Sequence, residues 1–93
     1  MGIKVRVHPY LQPFTGNRDP VESSGCNVGE CLDNLEAQFP GIKEQLGKTQ
    51  HRKFELFGYI EIYVNGQSAY PDELTKPLKD GDEVTLVVMM IGG

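Results

Sequence analysis

Residues 78–88 read LKDGDEVTLVV, and this stretch decides the fold. Asp80 and Asp82 flank Gly81, a turn composition in which short carboxylate side chains bond nearby backbone and glycine supplies the reversal. From Glu83 onward the residue types alternate. Val84, Leu86 and Val88 fall on one face of an extended strand, and Thr85, Val87 and Met89 on the other. The first face is apolar throughout and belongs against a core. The second carries Val87 and Met89 towards MMIGG at 89–93, an apolar approach to a glycine pair, whereas most terminal segments are polar and loosely held.

Working outward, FGYIEIYVNGQ at 57–67 alternates Ile60, Ile62 and Val64 with Glu61 and Tyr63 before Asn65-Gly66, a strong short hairpin signal, and the strand after it is brief. Leu74 and Leu78, in the Pro-bearing loop that follows, point inward. IKVRV at 3–7 has the same period of two, with Ile3, Val5 and Val7 on the buried face. PYLQPFTGN at 9–17 reads as a loose loop leading to a short second strand from about Arg18 to Ser23. A helix begins at Val28. Asn27 is its N-cap, Glu30 completes a capping box, and Val28, Cys31, Leu32, Leu35 and Phe39 form one apolar stripe. Asp33 and Glu36 lie on the solvated side, and Pro40-Gly41 ends the helix. IKEQL at 42–46 adds a helical turn that buries Ile42 and Leu46, whereas Gly47 to Lys53 is polar and patternless and reads as a mobile loop.

The 93 residues, 39% hydrophobic and 24% charged, suit one α+β domain spanning 1–93: a mixed sheet of four or five strands with one main helix on one face. The net charge of -4, with no lysine and arginine cluster beyond HRK at 51–53, argues against nucleic-acid binding. No apolar run approaches the roughly 18 residues of a membrane span, and Lys4 and Arg6 interrupt the start where a signal peptide needs an apolar core. A cytoplasmic protein, monomeric when free, is expected. Cys26 and Cys31 read as free thiols, Cys31 in the core. Cys26 lies just before the helix, where a sulfur-relay role is conceivable but weakly supported. His8 and His51 do not combine with them at zinc spacing, so no metal site is expected. No nucleophile and base can be assembled from so few candidates, and no enzyme active site is expected. Thr85, Val87 and Met89, joined by Tyr63, form a candidate docking face on the helix-free side, with Lys4, Arg6 and His8 solvated beside it.

With these residues in hand, VNG at 64–66 followed by PLKDGDEVTLVVMMIGG at 77–93 resembles the C-terminal half of the ubiquitin-like sulfur carriers of the MoaD and ThiS type. NLEAQFPGIKEQL at 34–46 and IYVNGQ at 62–67 look closest to the carrier of the thiocarboxylate-dependent cysteine pathway. The resemblance implies a β-grasp (ubiquitin-like) fold, with the first and last strands parallel at the centre of the sheet and a flexible tail at 90–93. It implies that Gly93, preceded by Gly92, is adenylated by an E1-like enzyme of the MoeB/ThiF type and converted to a thiocarboxylate. A biosynthetic enzyme for cysteine, molybdopterin or thiamine then accepts the sulfur. ATP and a sulfur donor are used by the activating partner, and no cofactor is bound by the carrier itself. Met89, Met90 and Ile91 would join Val87 and Tyr63 in meeting the partner. At ~3.3 to 3.6 Å per residue, residues 90–93 reach roughly 13 to 14 Å, enough to enter a pocket, and glycine leaves the reacting carbonyl unhindered. The same tail permits a second reading, a ubiquitin-like modifier joined through Gly93 to lysines of target proteins. It permits a third, a binding subunit whose tail plugs a partner.

Overall fold

Alternation makes the first strand as expected: β1 (Ile3–Val7) buries Ile3, Val5 and Val7 and exposes Lys4 and Arg6. The computed structural model describes residues 2–89. Residues 9–17, expected to be a loose loop, instead form a 3-10 helix over Pro9–Thr15 that buries Leu11 and Thr15, closed by Gly16 in the left-handed region (φ 65°). Proline at its first position costs nothing, because that N–H would be unpaired in any case. The Thr15 hydroxyl donates to the Arg18 carbonyl at 2.8 Å and holds Arg18 in this turn. Strand β2 is therefore Val21–Ser23, shorter than expected, and runs antiparallel to β1 with Val5 opposite Val21.

Helix α1 (Val28–Gln38) starts at the expected Asn27 cap, whose side chain accepts from Glu30 N at 2.8 Å. The Glu30 carboxylate reaches one residue further back than a capping box requires and accepts from Cys26 N at 2.8 Å. Val28, Cys31, Leu32 and Leu35 are fully buried against the sheet, and each aliphatic side chain so buried stabilises the fold by about 1.5–3 kcal/mol. Glu36, expected on a solvated face, caps the next element: it accepts from Gly41 N and Lys43 N, both at 2.9 Å, at the start of α2 (Ile42–Leu46). These backbone donors hold its carboxyl below the usual pKa. Asp33 pairs with Lys43, so that face too is bonded locally.

The segment from Gly47 to Lys53, expected to be patternless and mobile, is ordered. β3 (Gly47–Gln50) and β4 (Lys53–Leu56) pair antiparallel as a separate two-stranded sheet, turning at His51 and Arg52. Close packing drives it: a Cβ on Gly47 would lie 2.1 Å from the Glu55 carbonyl oxygen. Lys43 Nζ covers the Phe54 ring at 4.5 Å.

β5 (Ile60–Val64) and β6 (Gln67–Ser68) meet at Asn65 and Gly66, both with positive φ (52° and 83°), the primed hairpin that Asn-Gly predicts. β7 (Glu83–Val88) buries Val84, Leu86 and Val88, as the opening stretch predicts. The main sheet has five strands in the order β2-β1-β7-β5-β6. β7 lies at its centre, parallel to β1 and antiparallel to β5, which is the β-grasp arrangement. Both helices pack on one face, and the other is open.

Candidate functional site

The root of β7 is fixed by the turn before it. Asp82 accepts from Asn65 Nδ2 at 3.0 Å and from Lys79 N at 2.9 Å, while Asn65 Oδ1 accepts from Glu83 N at 2.9 Å. The Asn-Gly hairpin and the Asp-Gly-Asp turn are thus stitched together, and these donors lower the pKa of Asp82. Gly2 N donates to Asp80 Oδ1 at 2.6 Å, so both turn aspartates shape backbone, as expected.

Along β7 the parity inferred from sequence holds. On the open face Thr85 lies opposite Tyr63, and Val87 opposite Glu61. Thr85, Val87 and Tyr63 are half-buried, whereas Met89 is 45% exposed. The Tyr63 hydroxyl donates to Glu61 Oε1 at 2.9 Å, and this neighbouring carboxylate raises the phenol pKa and keeps it protonated. Towards β1 the face becomes charged. Arg6 lies 3.5 Å from Asp19 and 4.0 Å from Glu83, and with half its side chain in solvent these pairs contribute little stability. The open face thus carries Thr85, Val87, Met89 and Tyr63 over β5 and β7, with the Glu61 carboxylate bonded among them, and becomes ionic over β1.

One residue of this surface was missed from sequence. Met89 N donates to the Tyr59 carbonyl at 2.7 Å, which extends the β5–β7 ladder by one pair and sets Tyr59 beside Met89. Tyr59 is 47% exposed and stacks on Phe57, centroids 5.3 Å apart. Continuing the alternation of Glu61 and Tyr63 back by two residues would have found it. The structure thus places Tyr63, Val87 and Met89 on one face with Tyr59 added; Tyr59, Val87 and Met89 lie at the far end of β7, and Tyr63 lies opposite Thr85 nearer its start. Met90, Ile91, Gly92 and Gly93 lie outside the described residues.

Other candidate chemistry is limited. Cys31 is buried, and burial raises its thiol pKa; Cys26 is exposed, and no disulfide joins them. Among the described residues no group of three or more His, Cys, Asp or Glu could hold a metal ion, and no helix is long and apolar enough to cross a membrane. What the arrangement offers is a central strand, paired on both sides, that leads to an exposed apolar surface at Met89 and Tyr59.

Comparison with known proteins agrees with this geometry. Residues 5–93 match the profile of the ThiS family. The sulfur carrier protein CysO of Mycobacterium tuberculosis is 32% identical over 94 aligned positions that span all of both chains. Its crystal structure superposes with a TM-score of 0.85, at 30% identity over 95% of this chain and 99% of that one. The Amycolatopsis orientalis BexX/CysO complex contains a chain that matches with a TM-score of 0.87 at 32% identity, covering 98% of this chain and 99% of its own. Small archaeal modifier protein 1 of Methanosarcina acetivorans matches with a TM-score of 0.84 at 27% identity, over 99% and 96% of the two chains.

Proposed function

Because the chain belongs to the ThiS family of small ubiquitin-like carriers rather than enzymes, we propose that it carries sulfur as a thiocarboxylate on Gly93. The observation that carries this reading is full-length similarity to a sulfur carrier protein, in a fold whose last strand lies at the centre of the sheet. A terminal carboxylate has a pKa of about 3.3–3.7 and at neutral pH is an anion, a poor electrophile. Its oxygen attacks the α-phosphorus of ATP in an E1-like adenylating enzyme of the MoeB/ThiF type, giving an acyl-adenylate and pyrophosphate. Hydrosulfide then attacks the carbonyl carbon; where the donor is a persulfide its terminal sulfur attacks instead, and a thiol then cleaves the resulting acyl disulfide, releasing the thiocarboxylate and leaving a disulfide with the donor sulfur. With hydrosulfide, the C–S bond forms, the C–O bond to AMP breaks, and AMP leaves with its electron pair. The carrier is substrate in both steps, with ATP supplied from the cytoplasm, where the reaction is placed.

In this scheme the body of the domain recognises the partner. Val87, Met89, Tyr63 and Tyr59 dock outside the enzyme while Met90, Ile91, Gly92 and Gly93 enter its pocket. The sulfur passes next to a biosynthetic enzyme making cysteine, or otherwise molybdopterin or thiamine; likeness to CysO favours cysteine. A relative crystallised in complex with BexX supports a protein partner of this kind.

Intact-protein mass spectrometry tests the proposal. The chain is incubated with ATP, sulfide and the adenylating enzyme purified from the same cells. Replacement of one oxygen by sulfur at Gly93 is the expected mass change. A second reading, conjugation through Gly93 to lysines of other proteins, is favoured by the likeness to a small archaeal modifier. It predicts covalent adducts that vanish when Gly92 and Gly93 are deleted, with no stable thiocarboxylate.

A further inference from the structure

The sequence of pairings around β5 leaves a gap. β6 ends at Ser68, and Pro71 has no N–H with which to extend the ladder. On its outer side β5 is paired at Tyr63 and Val64, with Ala69 N donating to the Ile62 carbonyl at 2.9 Å. Beyond it the Ile60 N–H turns back to the Phe57 carbonyl at 3.0 Å and the backbone of Glu61 faces β7, so the Ile60 carbonyl is left pointing outward with no strand beside it among the described residues. The hairpin does not fill the space, because β4 pairs with β3. A groove of about 580 Å³ results, bounded by β4, the outer edge of β5 and residues 70–75.

Its chemistry is two-toned. Phe54, Leu56, Phe57, Ile60 and Leu74 supply an apolar lining. Glu55, Glu61, Asp72 and Glu73 supply the charge, against Lys53 as the cation among the lining residues. Glu55, Asp72 and Glu73 form no ion pair among the described residues. Tyr70, 75% exposed, stands at the mouth; exposed tyrosines are frequent anchors of protein interfaces.

We infer that this groove binds an extended segment of a partner protein in which apolar side chains alternate with lysine or arginine, laid along the outer edge of β5. An extended chain laid in the groove can donate to the outward Ile60 carbonyl, its alternate side chains then face the apolar lining, and the unpaired carboxylates select cationic neighbours. The groove is contiguous with the tail root. Tyr59, Ile60 and Glu61 lead from Met89 on one side of β5 to the groove on the other, so a chain laid there is about two strand spacings, ~10 Å, from β7. A protein that grips the chain beyond Met89 therefore has the groove within reach. Only the identity of the partner, the enzyme that activates or discharges Gly93, rests on the sulfur-carrier reading.

The test is a titration of the isotopically labelled chain with a blocked peptide of alternating lysine and valine, followed by amide shifts. Saturable shifts at residues 53–62 and 68–75 are expected, weakened about fivefold by raising salt from about 50 to about 500 mM and absent with a glutamate–valine peptide. Asp72→Lys combined with Glu73→Lys weakens binding about fivefold or more while the spectrum keeps its folded dispersion. Absence of shifts, shifts centred on residues 83–89, or indifference to charge reversal overturns the inference. In the complete adenylation assay the same double variant raises the KM for the carrier at least about fivefold with kcat unchanged, whereas the exposed Glu44→Lys on α2 changes neither. Equal KM for the double variant and wild type also overturns it. If wild type acquires no sulfur at all, the carrier reading fails, and the peptide titration still decides the groove.

Discussion

Val87→Asp separates recognition from folding. In the free domain the substitution sets a carboxylate directly opposite Glu61 on the open face, a like-charge pair worth about 0.2–1 kcal/mol of destabilisation. It also forfeits about 1 kcal/mol from the half-burial of Val87, together about 1–2 kcal/mol and less than the stability of about 5–15 kcal/mol usual for a domain. The core side of the strand, Val84, Leu86 and Val88, is untouched. The domain therefore stays folded. Against a partner the cost is larger. Full burial of a valine side chain contributes about 1.5–3 kcal/mol, and since Val87 is already half-covered by its own sheet, about 1 kcal/mol remains for the interface to recover. Burying an unpaired polar group there adds about 1–3 kcal/mol. Together, about 2–4 kcal/mol corresponds to a rise in KM of roughly 30- to 700-fold. The assay is ATP–pyrophosphate exchange by the adenylating enzyme as a function of carrier concentration, with thermal unfolding of both proteins as control. A KM within about threefold of wild type, for a variant that unfolds normally, would refute the docking role of the open face.

Other perturbations address the scaffold. Asp82→Asn removes a carboxylate whose pKa is lowered in the folded protein, so the stability that Asp82 adds is present above its unfolded pKa of about 3.9 and is lost as pH falls through the lower folded value. Thermal unfolding of wild type and variant should differ at neutral pH and converge in acid; a constant gap from pH 7 down to about 2 would exclude the linkage. Gly47→Ala drives a Cβ into the Glu55 carbonyl oxygen and should cost about 1–3 kcal/mol in chemical denaturation, with amide protection lost in β3 and β4 first. Iodoacetamide should label Cys26 and spare Cys31 in the native protein, read by peptide mass; equal labelling would contradict the burial of Cys31.

Much of this architecture was legible because periodicity and punctuation agreed. In β1 and β7 the buried and open residues alternate without interruption, in β5 they do so as far as Tyr63, and α1 has both a cap at Asn27 and an apolar stripe. The 3-10 helix was not legible. Its prolines signal a loop, and only the burial of Leu11 and Thr15 shows that the segment plugs the core. The β3–β4 hairpin was missed for a different reason. β3 presents Lys48, Thr49 and Gln50 to solvent, and its turn residues His51 and Arg52 adopt positive φ (53° and 64°) without the asparagine or glycine that announces such a turn. Glu36 was misplaced because helical spacing reports which side a residue is on, not that α2 folds back to meet it. At the site, strand parity identified Tyr63, Val87 and Met89, but Tyr59 lies one residue before β5 and joins the face only through the bond from Met89. The outer groove has no sequence signature, since it is made by what fails to pair.

The central position of β7 has a mechanical consequence. The strand is registered with β1 from Glu83 to Leu86 and with β5 from Val84 to Val88, so it is gripped on both sides. A pull applied beyond Met89 runs along the strand axis and loads both ladders in shear, all bonds sharing the force, rather than peeling them one at a time from an edge. An enzyme can tug on the chain end, or release it abruptly, and the load is shared by the whole sheet.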